Sequence, residues 1–114
     1  MSQTIRHGAA GEFGPDQRWT VGGKYVLHFT ARGNLELWNT KAKRLIWQSE
    51  TVEAVKLAMQ DDGNLVIYGK GDKPLWASHT DGNPGAFLAM QEDGNLVIYS
   101  RDFRPIWSTD TSGS

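Results

Sequence analysis

Two stretches of this sequence place the same five side-chain types at alternate positions. The two sets, 31 residues apart, are Gln60, Asp62, Asn64, Val66 and Tyr68, and then Gln91, Asp93, Asn95, Val97 and Tyr99. Amide, carboxylate and phenol groups donate and accept hydrogen bonds, so such a cluster can hold several hydroxyl groups of one ligand. The valine can contact the C–H face of a sugar ring. Each set therefore indicates a small, shallow site for a polyol.

Turn formation alone offers a simpler explanation for part of each set. Asp and Asn side chains often bond the local backbone in turns, and Val and Tyr are common in strands. A turn, however, needs only the Asp-Gly-Asn segment, as in residues 62–64, and not the flanking Gln, Val and Tyr. The retention of all five types in two copies favours a binding site.

A third, altered copy lies 30 residues before the first intact set. Its residues at the same positions are Thr30, Arg32, Asn34, Glu36 and Trp38, so only Asn is retained. Arg32 cannot accept a hydroxyl hydrogen, and Glu36 puts a charge where the other copies have an apolar contact. We expect no binding of the same ligand here, and a weak, exposed Arg32–Glu36 ion pair instead. The surrounding Lys and Arg residues favour a solvated face over a surface for an acidic partner.

Internal repetition extends beyond these sets to most of the chain. Each copy is followed by a short apolar segment with a tryptophan, at Trp47, Trp76 and Trp107. A chain of 114 residues is long enough for one core only. We predict an irregular N-terminal arm, residues 1–18, and a single domain, residues 19–114, made of repeats at about 19–50, 51–80 and 81–111.

Alternating apolar residues around Gly-Asn turns predict a β-hairpin in every repeat, because Gly and Asn tolerate positive φ angles. In the second repeat, Leu57 and Met59 would share an inward face with the leucine and isoleucine that follow the turn. With the Trp segments, the pattern predicts about four strands per repeat, about twelve in all, and no helix. The threefold repetition predicts three small sheets around a common axis, with the three tryptophans at the centre.

One segment, residues 49–60, also has helical character, because it contains good helix formers with apolar residues at 52, 55 and 59. Its counterpart in the third repeat follows Asn83 and Pro84, which make a poor helix start. Three copies of one unit should share one conformation. We therefore predict a strand.

Composition narrows the range of partners and locations. The formal net charge is −1 and no basic stripe is present, which argues against nucleic acid. No apolar run approaches the length of a membrane span or of a signal peptide. We expect no membrane insertion, and the location stays open: cytoplasmic, exported by a non-classical route, or directed by a leader outside this sequence. Cysteine is absent, which excludes disulfides and thiolate metal sites.

Residues that could catalyse a reaction or bind a metal are scattered. His7, His28 and His79 have no partner at metal-ligand spacing. Asp61 and Asp62 are adjacent, so on a strand they would point to opposite faces and form a poor acid–base pair for glycoside cleavage. We predict no enzymatic activity, no metal site and no cofactor.

The pattern Gln-x-Asp-x-Asn-x-Val-x-Tyr closely resembles the mannose-binding signature of the bulb-type (monocot mannose-binding) lectins, whose fold is the β-prism II. The resemblance covers about residues 19–111, including the repeat and the Trp segments. It implies an all-β prism of three four-stranded antiparallel sheets with pseudo-threefold symmetry. It also implies that Asp and Asn bind the 2-hydroxyl of α-D-mannose, Gln the 3-hydroxyl and Tyr the 4-hydroxyl, while Val contacts the ring. The second and third repeats would then bind mannose or mannose-containing glycans, and the first would not.

The resemblance carries two further expectations. Members of the family commonly form dimers by exchanging C-terminal strands, so residues 106–111 predict a homodimer formed in this way. The cysteine pair of many plant members is missing here, which is more typical of a microbial or cytosolic relative. An alternative function stays open: a protein-interaction module, or a lectin-like antibacterial toxin that binds a different surface sugar.

Overall fold

The computed structural model describes the backbone of residues 3–5 and the whole of residues 11–114. Twelve strands form the regular structure of this part of the chain. They are β1 (Gln3–Ile5), β2 (Glu12–Phe13), β3 (Gln17–Val21), β4 (Tyr25–Phe29), β5 (Leu35–Asn39), β6 (Arg44–Gln48), β7 (Ala54–Met59), β8 (Leu65–Gly69), β9 (Lys73–Ala77), β10 (Phe87–Met90), β11 (Leu96–Tyr99) and β12 (Pro105–Ser108). A short 3-10 turn, Lys70–Asp72, lies between β8 and β9.

The strands form three antiparallel sheets of four strands each. The first sheet has the order β3-β4-β5-β6, the second β2-β7-β8-β9 and the third β1-β10-β11-β12. In each sheet the two central strands form the hairpin that carries a predicted site. The predicted all-β architecture, with about twelve strands in three sheets, is confirmed.

The N-terminal segment contributes the first strand of every sheet. β1 pairs with β10, β2 with β7 and β3 with β4. The prediction of an irregular arm is therefore wrong for these strands, and β3 runs across the boundary predicted at residue 18. β1 and β2 have only three and two residues, too few to show a period of two, and hydrogen bonds to the neighbouring strand hold such segments in place. Residues 1, 2 and 6–10, which include His7, lie outside the described part of the chain.

The inward faces of the three hairpins form one hydrophobic core. In the second repeat the predicted inward residues are at most 1% exposed, and the same holds for their counterparts in the third repeat; these residues are Leu57, Met59, Leu65, Ile67, Leu88, Met90, Leu96 and Ile98. Full burial of such a side chain stabilises the fold by roughly 1.5–3 kcal/mol. This packing stabilises a chain that has no cysteine to form disulfides.

The three tryptophans meet, as the repeat predicts. Trp47, Trp76 and Trp107 contact one another edge to face, with ring centroids 5.5–5.8 Å apart and interplanar angles of 74–80°. All three side chains are half-buried and pack against the deeper aliphatic core. Each such aromatic pair adds about 0.5–1.5 kcal/mol beyond simple burial. The triad therefore joins the last strands of the three sheets.

The ambiguous segment at residues 49–60 is not helical, and Glu50 and Glu53 in its first half have positive φ angles. Its regular part is the strand Ala54–Met59, which pairs with β8, so the prediction of a strand over a helix is confirmed. No α-helix occurs in residues 3–5 and 11–114. Within those residues, accordingly, no helix has the length and apolar character needed to span a bilayer.

Candidate functional site

A glycine in each hairpin turn lets another repeat pack closely on that turn. Gly63 has a φ angle of 91°, and a Cβ atom placed on it would lie 2.2 Å from the carbonyl oxygen of Asn83. The equivalent glycines, at positions 33 and 94, have φ angles of 90° and 89°; a Cβ atom would lie 2.1 Å from the Ala54 nitrogen in the first case and 2.6 Å from the Tyr25 ring in the second. A side chain larger than hydrogen is therefore excluded by both backbone strain and space. The turn of each repeat is held against a residue of another repeat, which fixes the site residues around it.

An asparagine side chain cross-links each hairpin turn to the segment that follows the Trp strand. The Oδ1 atom of Asn64 accepts hydrogen bonds from the Ser78 hydroxyl and from the backbone N–H of Thr80, both at 3.2 Å. The Thr80 hydroxyl in turn donates to the Gly63 carbonyl. The same bonds recur in the third repeat, where Asn95 accepts from residues 109 and 111. They recur again in the first repeat, where Asn34 accepts from residues 49 and 51.

The prediction that asparagine occurs in these turns because it tolerates a positive φ angle is wrong. Positive φ angles occur at the turn glycines but not at Asn34, Asn64 or Asn95, so backbone tolerance does not explain why this residue recurs. Its amide oxygen is a structural acceptor in all three repeats. The corresponding sequence signal is a Ser/Thr-x-Thr pattern at residues 49–51, 78–80 and 109–111.

In the second repeat the predicted residues converge and leave complementary groups unpaired. Asp62 Oδ1 accepts the backbone N–H of Asn64 at 3.0 Å, and Gln60 Nε2 donates to the Tyr68 hydroxyl. Asp62 Oδ2, Asn64 Nδ2 and Gln60 Oε1 have no partner among the described residues. The Tyr68 hydroxyl accepts from Gln60, so its own proton is available to a ligand. The site thus offers two acceptors and two donors on one outer face.

The third repeat reproduces this arrangement. Asp93 Oδ1 accepts the Asn95 backbone N–H at 2.9 Å, and Gln91 Nε2 donates to the Tyr99 hydroxyl. In both repeats the Asp side chain is exposed while the Gln, Asn and Tyr side chains are half-buried. The structure therefore brings the ten predicted residues together as two separate groups of five. Among the described residues, no cluster of His, Asp or Glu side chains is suited to hold a metal ion.

The two valines lie on the outer face, as the alternation predicts, but they are much less accessible than expected. Val66 and Val97 are each 3% exposed. They are flanked across the sheet by small residues: Val66 pairs with Ala58 and Ala77, and Val97 pairs with Ala89. Each valine therefore offers a ligand little surface.

In the first repeat the equivalent groups satisfy one another. Asn34 Nδ2 donates to Glu36 Oε2 at 3.0 Å and to Gln48 Oε1 at 2.9 Å. The indole N–H of Trp38 donates to Glu36 Oε1 at 2.9 Å. The expected Arg32–Glu36 ion pair is wrong, because both carboxylate oxygens of Glu36 bond these two neighbours instead. The amide that is free in the other two repeats is therefore used internally here.

Two residues beside the sites were not identified from the sequence. Lys56 lies directly across the sheet from Tyr68, with its ammonium 4.9 Å from the ring centroid. Phe87 lies across from Tyr99 in the same register, and their rings stack with centroids 5.8 Å apart. The two intact sites therefore have a cationic flank in one case and an aromatic flank in the other. Strand register, which the repeat alone does not reveal, is the signal that locates both residues.

Comparison with known proteins gives matches at the level of structure. No family model matches the sequence, and no curated protein sequence matches it. A lectin from Marasmius oreades matches with a TM-score of 0.86 and 27% identity, over 96% of this chain and 92% of its own. A monomeric monocot mannose-binding lectin from Gastrodia elata has a TM-score of 0.81 and 32% identity, over 96% and 97%. The mannose-specific agglutinin of snowdrop (Galanthus nivalis), solved with methyl-α-D-mannoside, has a TM-score of 0.75 and 30% identity, over 97% and 98%.

Proposed function

This chain belongs to the bulb-type (monocot mannose-binding) lectin family and has its β-prism II fold, and from that membership we propose that it binds α-D-mannose and mannose-containing glycans. The matched structures are lectins, which bind carbohydrate without catalysing a reaction. Two binding sites are proposed. One consists of Gln60, Asp62, Asn64, Val66 and Tyr68, and the other of Gln91, Asp93, Asn95, Val97 and Tyr99.

One observation carries this proposal: the Asn side-chain amide is fixed but has unused hydrogen-bond donors. The Oδ1 atoms of Asn64 and Asn95 are held by the structural cross-link, which points each Nδ2 in a set direction. Asp62 and Asp93 each bond the backbone N–H of the same asparagine through Oδ1, and Oδ2 has no partner among the described residues. A sugar hydroxyl both donates and accepts. One hydroxyl can thus accept from the Asn amide and donate to the Asp carboxylate, as the family resemblance implies for the 2-hydroxyl.

The Gln and Tyr side chains of each intact repeat provide a further acceptor and a further donor for sugar hydroxyls. In each intact repeat the Gln amide donates to the Tyr hydroxyl, so the Gln carbonyl remains an acceptor and the Tyr proton remains a donor. These two groups would hold the 3-hydroxyl and the 4-hydroxyl, as the resemblance implies. The bond between Gln and Tyr also orients both side chains before the ligand arrives, which lowers the entropy lost on binding.

Each site is open and offers few contacts, so one sugar should bind weakly. We expect about −4 kcal/mol per site, a dissociation constant of about 1 mM. Two sites on different sheets would raise the apparent affinity for a branched or multivalent glycan through effective concentration. The natural targets of the protein would then be dense mannose-containing surfaces rather than free sugar.

A binding assay on immobilised mannan tests the proposal. The wild-type protein should bind in a saturable way, and methyl α-mannoside should displace it while methyl α-galactoside should not. The matched variant is Asn64→Asp with Asn95→Asp. It keeps Oδ1 as the structural acceptor and replaces only the donating amide, so it should fold normally and lose mannan binding.

Other outcomes of this assay would favour a different function. A folded wild-type protein that ignores mannan but binds another glycan would match the alternative of a toxin-like lectin for a different surface sugar. Binding that no free sugar displaces would match the alternative of a protein-interaction module. Either result would contradict the mannose proposal.

The homodimer formed by C-terminal strand exchange remains a proposal. In this chain β12 pairs with its own neighbour β11, so exchange would require β12 to leave that sheet and pair with β11 of a second copy. The matched Gastrodia elata lectin is described as monomeric. Sedimentation equilibrium should give a mass of twice 12.7 kDa for the dimer, and a mass of one chain across micromolar concentrations would contradict it.

A further inference from the structure

The turn before each Trp strand presents one side chain from a left-handed backbone conformation. The residues are Lys43, Asp72 and Phe103, each four positions before its tryptophan, with φ angles of 54°, 58° and 65°. Residues other than glycine rarely adopt such angles, and doing so costs roughly 1 kcal/mol or more. The same strained position therefore carries a cation, a carboxylate and an aromatic ring in the three repeats.

In the second repeat the carboxylate of Asp72 forms an ion pair with the ammonium of Lys56. Asp72 Oδ1 lies 3.7 Å from Lys56 Nζ, and the same ammonium lies over the ring of Tyr68. The lysine therefore contacts both the carboxylate and the tyrosine ring. The edge of the second site beside Tyr68 therefore carries a lysine and an aspartate where the third repeat has two phenylalanines.

In the third repeat the equivalent residues form a continuous aromatic surface. Phe87 stacks on Tyr99 with an interplanar angle of 28°, and Phe103 meets Phe87 edge to face with centroids 5.7 Å apart. Phe103 is 75% exposed. Its turn is held by hydrogen bonds from its own N–H to Ser100 and from the Ser100 N–H to Arg104, at 2.8 and 2.7 Å. We call Phe87, Tyr99 and Phe103 the aromatic shelf.

We propose that the aromatic shelf is a second subsite, which holds a sugar ring attached to the mannose in the third-repeat site. This inference rests on the proposed function, because it requires mannose beside Tyr99. The Tyr99 hydroxyl belongs to the mannose site through Gln91, and its ring belongs to the shelf through Phe87. The two subsites therefore share one side chain, and a disaccharide can contact both.

The chemistry of the shelf selects this class of ligand. A pyranose presents an apolar C–H face that packs against an aromatic ring, whereas an anionic group gains nothing from the three uncharged rings. A single exposed apolar residue is ordinary, but three rings that continue directly from a hydrogen-bonding site form a combined polar and apolar surface typical of ligand sites. The second repeat lacks this surface, so the two intact sites should differ in glycan preference.

Site-resolved NMR tests the subsite. Amide shifts of residues 60–68 and 91–99 report the dissociation constants of the second and third repeats separately. The ligands are methyl α-mannoside and the α1-2, α1-3 and α1-6 mannobioses. At least one mannobiose should bind the third repeat about threefold to tenfold more tightly than methyl α-mannoside does, from the usual range of aromatic contacts. The second repeat should show no such gain.

Two variants test which residues cause the tighter binding of a mannobiose. Phe103→Ala should remove it and leave the affinity for methyl α-mannoside unchanged, because Phe103 is largely exposed and contacts no group of the mannose site. Lys56→Phe combined with Asp72→Phe should create a gain in the second repeat. The subsite proposal would be contradicted if the Phe103→Ala variant still bound the mannobiose more tightly than methyl α-mannoside. Equal increases in affinity at both wild-type sites would contradict it as well.

The same titration separates failure of the subsite from failure of the proposed function. If methyl α-mannoside shifts both hairpins and no mannobiose binds the third repeat more tightly, the shelf is not a subsite and the two mannose sites stand. If methyl α-mannoside shifts neither hairpin, the proposed function fails and the subsite falls with it.

Discussion

The first repeat and the other two have the same backbone and the same asparagine cross-link, yet their outer faces differ in chemistry. Asn34, Asn64 and Asn95 all accept hydrogen bonds from the Ser/Thr-x-Thr segment that follows. Among the described residues, the amide nitrogen has a partner only in the first repeat, where it donates to Glu36 and Gln48. The comparison shows that the two halves of the amide are used differently: the oxygen holds the fold in all three repeats, and the nitrogen is bonded internally in the first.

This separation explains which residues the first repeat kept and which it changed. The asparagine must stay because its oxygen binds the backbone of the next segment. The residues equivalent to Gln, Asp, Val and Tyr make no bond to that segment, and all four differ; the Asn34 N–H bonds Thr30 in place of an aspartate. In the first repeat the carboxylate of Glu36 accepts hydrogen bonds from both the Asn34 amide and the Trp38 indole.

Converting the first repeat should have the largest effect on binding. The variant with Thr30→Gln, Arg32→Asp, Glu36→Val, Trp38→Tyr and Gln48→Ala restores the pattern of the second repeat and removes both acceptors of the Asn34 amide. We expect a third site with a free energy of about −4 kcal/mol for methyl α-mannoside, a dissociation constant near 1 mM. Amide shifts at residues 30–38 measure it. Glu36→Val alone is the control and should give no such response, because the Gln, Asp and Tyr groups are still missing.

The second-largest effect should come from the turn glycines, which all repeats share. Gly63→Ala places a Cβ atom against the Asn83 carbonyl at a left-handed φ angle, so the free energy of unfolding should fall by about 3 kcal/mol. Gly71→Ala is the matched control, because its φ angle of 72° is similar but nothing lies within 4 Å of the added atom. It should cost about 1 kcal/mol. Equal losses in urea denaturation would contradict the close packing of the turn.

A smaller, site-specific effect is expected for the carboxylate of one intact repeat. Asp62→Asn keeps Oδ1, which accepts the Asn64 N–H, and replaces the free oxygen with an NH2 group. Loss of one charged acceptor should weaken mannoside binding at residues 60–68 by about 2 kcal/mol, roughly 30-fold. The third repeat of the same molecule is the internal control and should keep its affinity. An unchanged second site would mean that Asp62 serves only the turn.

The smallest effect tests the structural role of the asparagine in the first repeat, where its amide nitrogen is bonded internally. Asn34→Ala removes the acceptor for the Thr51 N–H and the Ser49 hydroxyl, so the protein should lose about 1–2 kcal/mol of stability. Arg32→Ala, on the same exposed turn, should stay within about 0.5 kcal/mol of wild type. If thermal unfolding gives the same small change for both variants, the cross-link has no structural importance.

The periodicity of the sequence was sufficient to predict the hairpins, the inward leucines and the meeting of the three tryptophans. It could not predict β1 and β2, because strands of two or three residues show no alternation and are held by backbone bonds to distant strands. The grouping of Gln, Asp, Asn and Tyr was also predictable, since alternate residues of one hairpin share a face. The burial of Val66, the partners of Glu36 and the aromatic shelf were not, because they depend on side-chain packing and strand register.

An amide NMR titration of the wild-type protein with methyl α-mannoside, up to about 20 mM to exceed an expected dissociation constant of about 1 mM, tests the central claim most directly. The account predicts saturable shifts at residues 60–68 and 91–99 and none at residues 30–38. Shifts at all three hairpins would contradict the assignment of an internally satisfied first repeat. A spectrum unchanged at both intact hairpins would contradict the proposal that this lectin binds mannose.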